Sequence, residues 1–176
     1  MMADIASTEW RGVELSFAEQ FNEKLVAAWN SHQPETVLSL MTDDVVYDHA
    51  GWPTEMRGQA DVRAFLQSTW AAFPDLTITS EGVMLDPAAA STAGYWHATG
   101  THTGIWDPPG LNPSGRQVSF HGGAFLEFRD GKLCRYRVVY DVAELLRQLG
   151  VLPSTRSRGE RLTVMAANLR NRLHRR

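Results

Sequence analysis

Asp48, His49, His102, His121, Tyr136 and Tyr140 are the side chains of this chain whose type and setting could move a proton or hold a ligand oxygen. Asp48 closes the apolar run Val45-Val46-Tyr47, which reads as a short strand. A carboxylate carried into an apolar pocket has its pKa raised by desolvation toward useful basicity. The same residue could instead cap a turn before Ala50-Gly51. In a regular strand His49 points to the opposite face, so only one of the two can face a pocket. His102 ends a strand whose alternate positions Trp96, Ala98 and Gly100 suit a cavity wall, with His97 outward. It could shuttle a proton, support an oxygen, or simply hold the loop that follows. His121 precedes Gly122-Gly123, a pair that signals a bulge or a close approach and leaves its side unassigned. Tyr136, Val138 and Tyr140 share one face of the last strand, Arg135 and Arg137 the other. The tyrosine face is expected toward the pocket, with Tyr140 as a donor to a carbonyl. Trp52 and Trp106 lie in loops and could cover a flat ligand, and Trp96 could line it. There is no phosphate-binding glycine loop, no Cys/His metal spacing and no Gly-x-Ser-x-Gly elbow, so a metal or cofactor is not expected.

These groups need elements to hold them. Ser16 and Glu19 form a capping-box pattern for a helix with Phe17, Phe21, Leu25, Ala28 and Trp29 on one face. Pro34 suits the start of a short helix through Val37, Leu38 and Met41. A third helix follows Gly58, with Val62, Phe65, Leu66, Trp70 and Phe73 on one face, and stops at Pro74. Strands are expected near 75–86, 91–103, 116–129 and 132–140, with turns at Asp86-Pro87 and Asp130-Gly131. The Pro- and Gly-rich connection from Gly104 to Gly115 is long enough to carry a binding edge or lid. Asp141 and Glu144 pair as a cap for a helix that Gly150 and Pro153 end. Helices first and a run of strands after them define an α+β domain rather than a βαβ repeat.

Composition bounds the rest. The 176 residues, 43% hydrophobic and 21% charged, fit one soluble domain at 16–153, with an extension at 1–15. No apolar run nears the roughly 18 residues of a membrane span, and Met1 to Trp10 lacks a signal-peptide pattern. Cys134 is the single cysteine, which rules out an intrachain disulfide and makes the cytoplasm the expected compartment. It is expected to be a small buried apolar group. Of the 17 lysines and arginines, seven lie from Arg156 onward with one of the 20 acids, leaving 10 against 19 before it. The acidic body argues against nucleic acid as ligand. The tail at 154–176 reads as a basic amphipathic helix that could lie on an anionic membrane, dock on the acidic body, or clasp a partner.

Several short stretches together resemble a known family. They are Ala28-Trp29-Asn30, Val45-Val46-Tyr47-Asp48, Gly58 before the third helix, Gly100-Thr101-His102-Thr103-Gly104, Asp130-Gly131-Lys132, and Leu145 to Gly150. In order and spacing they resemble the SnoaL-like polyketide cyclases, within the nuclear transport factor 2-like superfamily that includes ketosteroid isomerase and limonene epoxide hydrolase. The resemblance implies a curved, mostly antiparallel sheet wrapped by helices into a cone around one pocket. It also implies a cofactor-independent cyclase, isomerase or dehydratase acting on a hydrophobic polycyclic or terpenoid-like metabolite. By that resemblance Asp48 stands where ketosteroid isomerase holds its base, with His102 or Tyr140 assisting, and the chain forms a homodimer with Arg135 and Arg137 at the contact. Two family acids are missing: Val138 stands for the aspartate after an arginine on the last strand, and Ala124 for the isomerase oxyanion-hole acid. No Asp-Arg-Asp set for epoxide hydrolysis can be assembled. A binding module without catalysis is therefore one alternative, and an epoxide hydrolase is the other.

Overall fold

The computed structural model describes residues 15–86 and 91–173. Helix α1 (Leu15–Asn30) buries Phe21, Leu25, Ala28 and Trp29, the stripe its apolar spacing requires. Ser16 lies inside this helix, not at a cap. A single turn of helix, α2 (Pro34–Leu38), starts at its proline. Strand β1 (Met41–His49) is longer than expected, because Met41 opens it instead of closing α2. The two-residue strand β2 (Met56–Arg57) was not legible, and it leads into α3 (Gly58–Ala72). Gly58 takes a φ of 77°, a left-handed conformation that disfavours side chains, just where the chain turns from β2 into the helix.

Four long strands follow: β3 (Thr77–Asp86), β4 (Ser91–Thr101), β5 (Gln117–Arg129) and β6 (Lys132–Tyr140). The hairpin between β5 and β6 turns through Asp130 and Gly131, both at positive φ, the conformation that an Asp-Gly pair favours. Helix α4 (Val142–Gln148) is capped by Asp141, whose carboxylate accepts from the Glu144 N–H at 2.9 Å, as its spacing predicts.

The six strands form one sheet in the order β2-β1-β6-β5-β4-β3. All neighbours are antiparallel except β1 and β6, which run parallel with Tyr47 opposite Tyr136 and His49 opposite Val138. The molecule is thus α+β, with a curved sheet whose concave face is covered by α1 and α3. The alternation is strict where it matters. Ala98, Val118, Ala124, Leu126, Tyr136 and Val138 are buried on the inner face, joined there by Val45 and Tyr47 of β1. A bulge between Ser80 and Gly82 shifts β3 by one residue against β4.

Cys134 is only half buried, its thiol 3.3 Å from the Glu127 carbonyl, because the irregularity between Glu127 and Phe128 takes it out of the regular alternation. The basic tail forms helix α5 (Arg158–Leu173). Its start is capped by bonds absent from the sequence reading: Ser157 Oγ accepts from the Glu160 N–H, and the Glu160 carboxylate accepts from the Arg156 N–H one residue ahead of the cap. Leu162, Met165 and Leu169 are exposed along it. No helix of the described residues is long and apolar enough to cross a membrane.

Candidate functional site

The concave face of the sheet, α1 and α3 enclose an apolar cavity of about 90 Å³. Its walls are Leu25, Val26 and Trp29 of α1, Phe65 and Thr69 of α3, and inward side chains of β1, β3, β4, β5 and β6. Trp106 enters from the long connection. Its backbone pairs both ways with Leu111, folding the loop back so that the indole packs on Phe73 at 5.9 Å. Among the described residues no carboxylate, lysine or arginine lines the cavity. Its polar groups are Asn22, Thr69, three tyrosines, the three indoles of Trp29, Trp96 and Trp106, and one imidazole.

That imidazole is His49. The sequence left one of Asp48 and His49 to face the pocket, and the strand turns His49 inward. Asp48 points to the outer face, where Arg137 Nε donates to its carboxylate at 2.8 Å. The expectation of Asp48 as a pocket base is therefore corrected. β1 pairs in parallel with β6, and Asp48 sits directly opposite Arg137, so an exposed ion pair fixes its orientation.

His49 is enclosed by aromatic rings: Phe65 at 4.6 Å, Tyr140 at 5.4 Å and Tyr47 at 5.7 Å between centroids. Burial drives its pKa down to about 3, so the ring is neutral across the physiological range. The Gly51 N–H donates to Nδ1 at 3.3 Å, which leaves the ring proton on Nε2. His49 is thus a neutral N–H donor rather than an imidazolium acid.

Tyr140 completes this corner. Its ring packs on Phe120 at 5.1 Å and Trp96 at 6.3 Å, and burial pushes its phenol up, so it stays protonated and donates. Gly51 is what admits it: a Cβ there would lie 2.0 Å from the Tyr140 hydroxyl oxygen. Gly122 does the same for Trp96, whose indole would meet a Cβ at 2.3 Å. The Gly-Gly pair thus marks a close approach, as its composition suggests. Deeper in, Tyr47 stacks on Tyr136 at 4.6 Å, and burial raises the pKa of both phenols. Tyr47 and Trp29 line the same space, and the buried Tyr47 hydroxyl and Trp29 indole N–H have no hydrogen-bond partner among the described residues. Buried polar groups are seldom left so, and a ligand oxygen is the kind of partner they lack.

The other expected residues divide. Trp96, Trp106, Tyr136, Val138 and Tyr140 line the cavity with His49. Trp52 does not; it packs edge-on against Phe65 at 5.2 Å, one layer out. His102 is fully buried but does not line the cavity. The Ser114 N–H donates to its Nδ1 at 3.2 Å and its ring lies on Phe73, so it pins the loop that carries Trp106. His102 in a catalytic role is corrected on that ground. His121 is exposed on the outer face, because β5 continues its alternation through Gly122 without reversing. Tyr47 and Trp29 escaped notice as site residues because an aromatic at a buried strand or helix position reads as core.

The family model for SnoaL-like polyketide cyclases matches residues 19–149, about three-quarters of the chain. Among solved structures, AclR from Streptomyces galilaeus is 25% identical with a TM-score of 0.69, covering 93% of this chain and 99% of that one. IdmH from Streptomyces antibioticus is 26% identical with a TM-score of 0.62, covering 76% and 98%. A SnoaL-like structure from Jannaschia is 18% identical with a TM-score of 0.68, covering 78% and 94%, a likeness of fold alone. No curated protein matches in sequence. The cavity, the cone-shaped sheet around it and the family match agree, and the chain belongs to the SnoaL-like polyketide cyclase family.

Proposed function

We propose that the protein is a cyclase- or isomerase-type enzyme acting on a polyketide-like small molecule in this cavity. One observation carries the reading: an apolar cavity whose polar lining is uncharged and offers neutral donors, with His49 and Tyr140 together at one corner and Tyr47 and Trp29 also in its wall. Such a site suits an uncharged, oxygen-bearing substrate. In an intramolecular aldol closure, negative charge develops on a carbonyl oxygen as the new carbon–carbon bond forms. Preset donors in a dry site stabilise that charge without reorganisation. The walls hold the chain folded with its reacting carbons close, which supplies the entropic part of the rate. The methylene between two carbonyls is acidic enough to lose its proton to water before closure, and the aldol oxygen takes a proton back from water after it, so the site's main task is to template the fold and support the oxygen. IdmH, a proposed polyketide cyclase, and AclR, a proposed hydroxylase, are consistent with chemistry on such molecules.

The size of the cavity narrows the ligand. A dry cavity of about 150 Å³ accepts benzene, and the space seen here is smaller at about 90 Å³, so a ring-bearing substrate requires side chains such as Trp96 or Trp106 to yield. The exposed Phe125 and Val139 on the outer face, beside Arg137, support a homodimer formed through that face, which sedimentation at increasing concentration tests. A cytoplasmic role in secondary metabolism completes the proposal.

The test replaces the donor and keeps its shape. His49→Phe should lower turnover of a poly-β-ketone substrate mimic by about 10²–10³-fold, the usual cost of one oxyanion donor. Binding of the mimic should persist. Full turnover in this variant would refute the reading. A second reading, ligand binding without catalysis, is favoured by the lack of any carboxylate on the cavity wall. It predicts that the mimic is recovered unchanged from the wild-type protein.

A further inference from the structure

We propose that Glu81, His97 and His121 form a binding site for a divalent transition cation of the zinc class on the outer face of the sheet. The three residues are far apart in sequence, and only the strand register unites them. His97 of β4 lies directly opposite His121 of β5, and their rings stack at 4.5 Å with 20° between planes. Glu81 falls at the bulge between Ser80 and Gly82 of β3, the residue that the register shift leaves without a partner in β4. The bulge turns its carboxylate toward the pair, so that Glu81 Oε1 sits 3.3 Å from His121 Nε2. One ligand atom from each of the three lies within 4.8 Å of the others.

This separation has meaning for a metal. Zinc held by nitrogen and oxygen at about 2.0–2.1 Å in a tetrahedron needs neighbouring ligand atoms about 3.3–3.4 Å apart. The His121–Glu81 pair already has that spacing, and the third atom needs to close by little more than 1 Å, within the reach of rotamer changes in half-exposed side chains. Two imidazoles and one carboxylate form a donor set suited to zinc, nickel, cobalt and copper rather than to magnesium or calcium. The Ser119 hydroxyl, 2.8 Å from His97 Nε2, holds the second ring in place and would be displaced by a metal bound at that nitrogen.

The site faces away from the cavity. A cation there would touch no ligand inside but would tie β3, β4 and β5, whose inner faces supply Ile78, Trp96, Ala98 and Phe120 to the wall. Its expected effect is on the rigidity of that wall, through metal-linked stability.

Calorimetric titration of the full chain, free of any affinity tag, with zinc alone should show one zinc per chain, whether the protein sediments as monomer or dimer. Cobalt should give visible absorbance of tetrahedral or five-coordinate type. His121→Ala and His97→Ala should each weaken zinc at least about tenfold, no less than loss of an outer-sphere partner costs. Their circular dichroism should match wild type, since both side chains lie on the outer face. His32→Ala, remote from the cluster, should bind as wild type. No zinc binding below roughly 0.1 mM, the weak end of functional metal affinities, or undiminished binding in both His121→Ala and His97→Ala, would overturn the proposal.

Discussion

Replacing Gly51 by alanine should damage the cavity corner without replacing any side chain that performs chemistry. An added Cβ would stand 2.0 Å from the Tyr140 hydroxyl oxygen and 3.2 Å from the carbon bearing it. Because such contacts do not occur below about 3 Å, the phenol must retreat by about 1 Å or Gly51 must move. Neither is free. The Tyr140 ring is wedged against Phe120, Trp96 and His49, and the Gly51 N–H is the group that sets the His49 tautomer. Overpacking of this kind costs about 1–3 kcal/mol of stability. Misplacing a donor by about 1 Å costs on the order of 10²-fold in rate. Binding of an uncharged aromatic ketone, followed through quenching of the cavity tryptophans, should weaken about tenfold with the loss of one hydrogen bond of about 1.4 kcal/mol. Gly123→Ala is the control, since its Cβ meets nothing nearer than 3.7 Å on the outer face. If Gly51→Ala bound the ketone as tightly as wild type, the placement of Tyr140 as a ligand donor would be wrong.

Asp48→Asn should leave ligand binding and turnover unchanged and cost at most about 1 kcal/mol, because its ion pair with Arg137 is half exposed; chemical denaturation beside a turnover assay checks both. His49 makes stability depend on acid. Its folded pKa of about 3 lies below the ordinary 6.5, so the unfolded chain binds the proton first and stability falls as pH drops from 6.5 toward 3. The loss should be on the order of 2 kcal/mol by pH 5, and urea titrations should show this component vanish in His49→Phe. Trp96→Leu should enlarge the cavity, cost about 1–3 kcal/mol, and shift preference toward larger ketones, as competition binding would show.

The strands, the capped α4 and the inward face of β6 were legible because each rests on local rules: alternation, an Asp-Gly turn, an aspartate three residues before a glutamate. The outward turn of His97 and the pocket position of Trp96 followed from the same alternation. Asp48 was misjudged because alternation says only that Asp48 and His49 differ, and the choice between them depends on β1 pairing with β6, some 90 residues away. His102 looked catalytic for want of its partner Ser114, a contact inside a long loop that no periodicity describes. His121 was unassignable because Gly122-Gly123 permits a reversal that the strand does not make. The outer cluster of Glu81, His97 and His121 has no sequence signature at all, since its members lie on three strands and meet only through register and a bulge.

The central claim is that the cavity works through a neutral His49 whose proton sits on Nε2. Nitrogen-15 spectra of the histidine rings, recorded from pH 8 to pH 5 with and without a cavity ligand, test this most directly. The account predicts one ring, absent from His49→Phe, that shows the Nε2–H tautomer, does not titrate in that range, and shifts when an uncharged aromatic ketone binds. A His49 ring that gained a proton above pH 5, or stayed unmoved on saturation with the ligand, would contradict it.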